Sequence, residues 1–145
     1  MNLEIRSPQT DAEWNNYYDL RYRILRKPLG QPMSTVKTEE DDTATHFALY
    51  EDKQLRAIAR LDVKENSGAQ VRFVAVDTEL QGKGFGKKLM LGIEEYCKQH
   101  KIQKIELQAR ENAVDFYLSL DYKLIAKTNL LFGLVQHYLM TKELK

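Results

Sequence analysis

Leu3 and Ile5 alternate with Glu4 and Arg6 before Ser7-Pro8, which predicts a short strand closed by a proline that cannot continue a sheet interior. Thr10 or Asp11 is placed to cap a helix, and Trp14, Tyr17, Tyr18, Arg21 and Leu25 recur at helical intervals along one face. Lys27-Pro28-Leu29-Gly30 stops that helix. Gln31 to Thr45 has no periodicity, carries the run Glu39-Glu40-Asp41-Asp42, and reads as a loop with room for a short helical turn. His46 to Tyr50 and Leu55 to Val63 are apolar-rich runs joined by Glu51-Asp52-Lys53-Gln54, an antiparallel hairpin with Ala57, Ala59, Leu61 and Val63 on one face. Asn66-Ser67-Gly68 marks the next turn. Val71 to Val76 is apolar apart from Arg72, as in a central strand covered on both sides.

Beyond Asp77 to Gly82, the period changes. Phe85, Leu89, Ile93, Tyr96 and Cys97 form a helical stripe ending near Gln99, and Ile102 to Ala109 returns to alternation, with Ile105 and Leu107 opposite Glu106 and Gln108. Ala113 to Leu120 predicts a short helix. Tyr122 to Ala126 and Leu134 to Thr141 predict two closing strands, with Thr128 to Gly133 able to extend either. The order is β, α, three β, then αβαββ, an α+β or mixed α/β fold with one predominantly antiparallel sheet.

Composition narrows the functional classes. At 145 residues, of which 43% are hydrophobic and 30% charged, the chain suits one domain over residues 1–145. Its 22 basic and 21 acidic residues leave a net charge of +1, so no overall field draws nucleic acid, and any anionic ligand must be held locally. The lone Cys97 excludes an internal disulfide, and three scattered histidines form no zinc-type cluster, so no metal is expected. Cys97 falls in the apolar stripe and reads as packing rather than a nucleophile. No stretch approaches the ~18 apolar residues of a membrane span, and Met1 to Pro8 lacks the apolar core of a secretory signal. The expected location is cytoplasmic, with no membrane partner.

The chemistry concentrates at Gln81-Gly82-Lys83-Gly84-Phe85-Gly86-Lys87-Lys88, between a buried strand and an amphipathic helix. Glycines allow close backbone approach, and a helix start presents unpaired N–H groups, so this junction predicts a phosphate site. It is not the G-x-x-x-x-G-K-[ST] loop, because position 88 is Lys and offers no hydroxyl to magnesium, nor G-x-G-x-x-G, because the third glycine comes one residue early. Gln81-x-x-Gly84-x-Gly86, preceded by Val74-Ala75-Val76, resembles the pyrophosphate-binding motif of the GCN5-related N-acetyltransferase (GNAT) superfamily. Asn112, Phe116-Tyr117 and Leu120-Asp121-Tyr122 resemble that family's downstream pattern, so the similarity spans Thr45 to about Ala126. Thr78 stands where the family commonly has proline, and Asp121 where it commonly has glycine. Leu20-Arg21-Tyr22-Arg23 with Asp41 and His46 resembles a subgroup more loosely related to homoserine-lactone synthases.

The resemblance implies one twisted sheet of about six to seven strands flanked by helices, and acetyl transfer from acetyl-CoA to a primary amine on a small molecule or protein. It implies that Phe73, Val74, Ala75 and Val76 pair with the pantetheine arm. The backbone of Gln81, Gly82, Lys83, Gly84, Phe85, Gly86 and Lys87 would surround the pyrophosphate. Asn112 and Phe116 would line the arm, Tyr117 would be the general acid, and an N–H near Val74 to Val76 would receive the oxyanion. Two residues are candidates for the base: Glu106, on the polar side of its strand, and His46, whose reference pKa suits the task. Tyr17, Tyr18 and Tyr22 read first as core and second as an aromatic acceptor wall; Glu39 to Asp42 read first as a solvated loop and second as an attractor for a cationic amine. Two other functions fit less fully: a non-catalytic acyl-CoA sensor and an acyl-homoserine-lactone-type synthase. The chain would act as a monomer or homodimer, with Leu130-Leu131-Phe132 reading first as an ordinary strand and second as an apolar run for a second copy.

Overall fold

The computed structural model describes residues 2–144; Met1 and Lys145 lie outside the described residues. Strand β1 (Leu3–Arg6) leads into helix α1 (Asp11–Leu25). Thr10, rather than Asp11, is the cap, its hydroxyl accepting from the Glu13 amide at 3.1 Å. Past α1, Pro28 sits in a single 3-10 turn and Gly30 takes φ 69° to reverse the chain. The stretch expected as a loop is tightly wound, with 3-10 turns at Met33–Thr35 and Glu39–Asp42.

Strands β2 (Thr45–Glu51) and β3 (Gln54–Val63) form the expected hairpin, but the connection is shorter than the four polar residues suggest. Only Asp52 and Lys53 lie between them, at φ 50° and 70°, the left-handed pair whose twist suits a two-residue turn. Val63, expected on the buried face, is 59% exposed at the last position of β3. After a turn through Asn66 and Ser67 come β4 (Gly68–Val76), helix α2 (Phe85–Gln99), β5 (Lys104–Arg110) and helix α3 (Val114–Ser119). Then β6 (Lys123–Leu131), which takes up most of the ambiguous segment, and β7 (Val135–Glu143) close the chain.

The seven strands form one sheet in the order β1-β2-β3-β4-β5-β7-β6. Only β4 and β5 are parallel neighbours, so the α+β expectation of a mostly antiparallel sheet holds. Helix α1 covers one face, packing Tyr17, Leu20 and Leu25 on Ala48, Tyr50, Ile58 and Ala75. The stripe of α2, with Tyr117 of α3, covers the other over Phe47, Leu49, Ala59, Leu61, Ile105 and Leu107. Cys97 is fully buried there, and burial beside the Glu94 carboxylate pushes its thiol up to about 11, which keeps it protonated packing material.

One residue of the acid run, Asp41, is internal, while Glu39, Glu40 and Asp42 are exposed. Asp41 points inward and accepts from Arg21 Nη1 at 2.9 Å and from the Thr38 amide at 2.7 Å, with Arg60 Nη1 at 3.3 Å. Arg60 is also held by both carboxylate oxygens of Asp62 at 2.8 Å. These pairs tie the 31–45 segment to α1 and β3.

Candidate active site

Strand β4 pairs with β5 only from Gly68↔Lys104 to Val71↔Leu107. Beyond that point β4 stays with β3 as far as Val76, while β5 stays with β7 as far as Arg110↔His137. The two strands therefore diverge, leaving the backbone of residues 72–76 without a β5 partner. A bulge begins the divergence: the step from Arg72 to Ala75 in β4 is one residue longer than the step from Arg60 to Ile58 that it faces in β3, and Phe73 is forced to φ 57°. Such a conformation in a non-glycine residue is strained and persists only where its surroundings hold it. Here the Phe73 ring has the guanidinium carbons of Arg21, Arg60 and Arg72 at 4.3, 5.0 and 4.9 Å from its centroid.

The opening leads to the glycine turn. Gln81 ties that turn to the strand end, donating from Nε2 to the Val76 carbonyl at 3.1 Å. Gly82 and Gly84 take φ 82° and 89°, and Gly84 caps α2. The first helical bond there runs from the Lys88 amide to the Gly84 carbonyl at 3.0 Å. The amides of Phe85, Gly86 and Lys87 therefore have no intrahelical partner, the condition for binding an anion. At Gly86 a Cβ would lie 3.3 Å from the Phe116 ring and 3.6 Å from Val76, so glycine lets α2 close over the end of the cleft.

A cavity of about 260 Å³ runs through the divergence, lined by Val71 to Val74, Leu107 to Arg110, Tyr117, Arg26, Leu131 and His137 among others. Tyr117 is buried in α3, stacked edge-on to Phe116 at 5.0 Å, and burial alone raises its phenol above the usual value, so it stays protonated. Tyr117 thus presents a hydroxyl that can donate. Asn112 is exposed in the turn before α3. Asp121 takes φ 71°, which explains a glycine preference at that turn; Asp is one of the residues that tolerates it.

Residues 26–144 match the family described as the acetyltransferase (GNAT) domain. The chain belongs to the GNAT acetyltransferase family. It is an acetyltransferase, and acetyl-CoA is the acyl donor of that family. Among solved structures, a putative N-acetyltransferase from Lactobacillus plantarum is 19% identical, with a TM-score of 0.84 over 99% of this chain and 98% of that one. The ribosomal-protein-S18-alanine N-acetyltransferase of Escherichia coli is 18% identical, with a TM-score of 0.78 over 99% and 95%. An aminoglycoside 6'-N-acetyltransferase complexed with coenzyme A is 14% identical, with a TM-score of 0.82 over 100% and 98%. At these identities the likeness is one of fold.

Within this GNAT chain the candidate bases fall in different places. His46 is buried, with Nε2 2.8 Å from the Asp41 carbonyl and Nδ1 2.7 Å from the Tyr17 hydroxyl. A carbonyl can only accept, so Nε2 carries the proton and Nδ1 accepts from Tyr17; neither nitrogen is spare. Glu106 lies in the paired part of β5, opposite Gln70, and lines a separate cavity with Lys64, Glu65 and Lys104 that Tyr117 does not line. Tyr17 is core, Tyr18 packs against it half-buried, Tyr22 is half-buried, and Asp41 is committed to Arg21.

The histidine in the cavity is one that periodicity passed over. His137, on β7, donates from Nδ1 to the Val135 carbonyl at 3.0 Å, which leaves Nε2 as the basic nitrogen. Burial lowers its pKa below the ordinary histidine value, opposed by that bond and reinforced by Arg110 and Arg26. The only signal in the sequence was a lone polar ring in an apolar strand, which more often means packing.

Proposed function

We propose that this enzyme transfers the acetyl group of acetyl-CoA directly to a primary amine, within a single domain and with no acyl-enzyme stage. The observation that carries the reading is the divergence of β4 from β5, which frees one edge of residues 72–76 between the open amides at the α2 start and the cavity that Tyr117 lines. The donor supplies a thioester carbonyl; as the amine's nitrogen bonds to that carbon, the C–S bond breaks and the amine loses a proton. The backbone of Gln81 to Lys87 holds the pyrophosphate, Phe73 to Val76 hold the pantetheine amides, and Asn112 and Phe116 flank the arm. An N–H in Val74 to Val76 stabilises the developing oxyanion. Tyr117 donates to the departing sulfur, and its raised pKa makes a hydrogen bond its main contribution. We assign the amine proton to Nε2 of His137, in place of His46 and Glu106. Association as a monomer or homodimer and a cytoplasmic location complete the proposal.

A screen of amines reading coenzyme A release tests the activity. Tyr117→Phe is expected to lower kcat by about 10²-fold while leaving the folded protein's melting temperature within a few degrees; an unchanged kcat removes Tyr117 from the chemistry. Burial lowers the pKa of His137 and favours its neutral ring, so kcat at saturating acceptor should carry an acid limb lying below the ordinary histidine value. His137→Gln should erase that acid limb, and a limb that survives the substitution assigns the proton elsewhere.

A further inference from the structure

The cavity carries more positive charge than acetyl transfer requires. Arg26 from the end of α1, Arg72 from β4 and Arg110 from the end of β5 all line it, and among the described residues no Asp or Glu does. Among the described residues, none of these three guanidinium groups forms an ion pair, whereas the neighbouring Arg21 and Arg60 are matched by Asp41 and Asp62. Arg26 donates to the carbonyls of Leu25 and Thr35 at 3.0 and 3.3 Å, and Arg110 donates to the Leu25 carbonyl at 2.8 Å. Arg26 and Arg110 are thus steered by neutral oxygens, and the carboxylates of Asp62, Glu40 and Asp41 act on Arg72 from beyond ion-pair distance.

That arrangement is costly on its own. Guanidinium groups stay ionised, and Arg26 is only 8% exposed. Burial pulls the pKa of all three down, and for Arg26 the nearness of Arg110 and Arg72 adds to it. A ligand anion in the cavity would reverse both effects and could accept paired N–H bonds from the planar forks. The coenzyme's pyrophosphate does not fill this role, because the residues of the glycine turn do not line the cavity.

We propose that the acceptor is an amine that also carries an anionic group, a carboxylate or a phosphate, bound by Arg26, Arg72 and Arg110 so that its amino group faces the cleft beside Val74 and Tyr117. The inference rests on the acetyltransferase reading and narrows it to one substrate class. Polycationic amines would meet three like charges at the same place.

The test compares matched pairs in the coenzyme A release assay: several α-amino acids against their decarboxylated amines, and phosphoethanolamine against ethanolamine. The expected result is at least about a tenfold higher kcat/KM for the anionic member of one pair type, with the same ranking in melting-temperature shifts when coenzyme A is present. A preference confined to amino acids assigns the anion as carboxylate, and one confined to phosphoethanolamine as phosphate. Arg72→Gln and Arg110→Gln should each remove most of that preference through KM, with the acetyl-CoA melting shift retained. Equal use of both members, preference for the uncharged ones, or no turnover of any anionic amine overturns the proposal. Failure of acetyl-CoA itself to shift the melting temperature overturns the acetyltransferase reading and this inference with it.

Discussion

Gly84→Glu is expected to abolish the rise in melting temperature that acetyl-CoA gives the unmodified enzyme. At a hundredfold excess over its Kd a ligand stabilises by about 2.7 kcal/mol, which for a chain of this size corresponds to several degrees. Gly84 sits at φ 89° with open space for 4 Å around the point a Cβ would occupy, so the substitution meets no steric wall. Two other costs act. A side chain at that φ strains the backbone by about 1–2 kcal/mol, and a carboxylate at the start of α2 competes with the coenzyme's phosphates for the free amides of Phe85 to Lys87. Because strain also lowers the melting point of the ligand-free variant, the readout is the shift within each protein. Gly84→Ala, which adds strain without charge, should retain part of the shift. A full shift in Gly84→Glu would show that the phosphates bind elsewhere.

Asp41→Asn should produce the largest loss of stability. Among the described residues this carboxylate, 7% exposed, is the only anion paired with the fully buried Arg21, and it also approaches Arg60. Neutralising it strands the Arg21 charge, and breaking a buried pair in this way costs about 3–5 kcal/mol, roughly 10 °C in melting temperature. Urea unfolding measures it directly; a loss under about 1 kcal/mol would mean that water or a rearranged Asp42 takes over. The pH dependence has a definite sign. Burial opposes ionisation of Asp41, but the Thr38 amide and the two arginines outweigh it and hold the pKa below the usual carboxylate value. The contribution is therefore fully present above about pH 4 and is lost as pH falls through the lowered native value. Asp41→Asn should flatten that acid limb.

Much of the architecture was legible in advance because it is written in local periods. The α2 stripe lies at the expected positions, the hairpin and the three-strand meander pair as their alternation predicts, and the glycine spacing of residues 82–86 marks the turn before α2. The differences of extent, at Asp52-Lys53, at Val63 and at the starts of β4 and β5, arise at strand ends, where alternation carries no information about where pairing or cover stops.

The acid run shows the limit more sharply. Glu39 to Asp42 has the composition of a solvated loop, and the Thr38 amide with Arg21 and Arg60, the arginines on other elements, holds one of its four carboxylates inward. Sequence alone thus determined the fold class, the glycine turn at the start of α2 and the place of Tyr117 on its short helix, since each depends on residues close together in the chain. The tertiary structure decided the charge of the cavity and the histidine that faces it. Arg26, Arg72, Arg110 and His137 lie on four separate elements and converge only because β4 follows β3 while β5 follows β7. Strand divergence is a property of pairing partners, and no stretch of residues encodes it by itself.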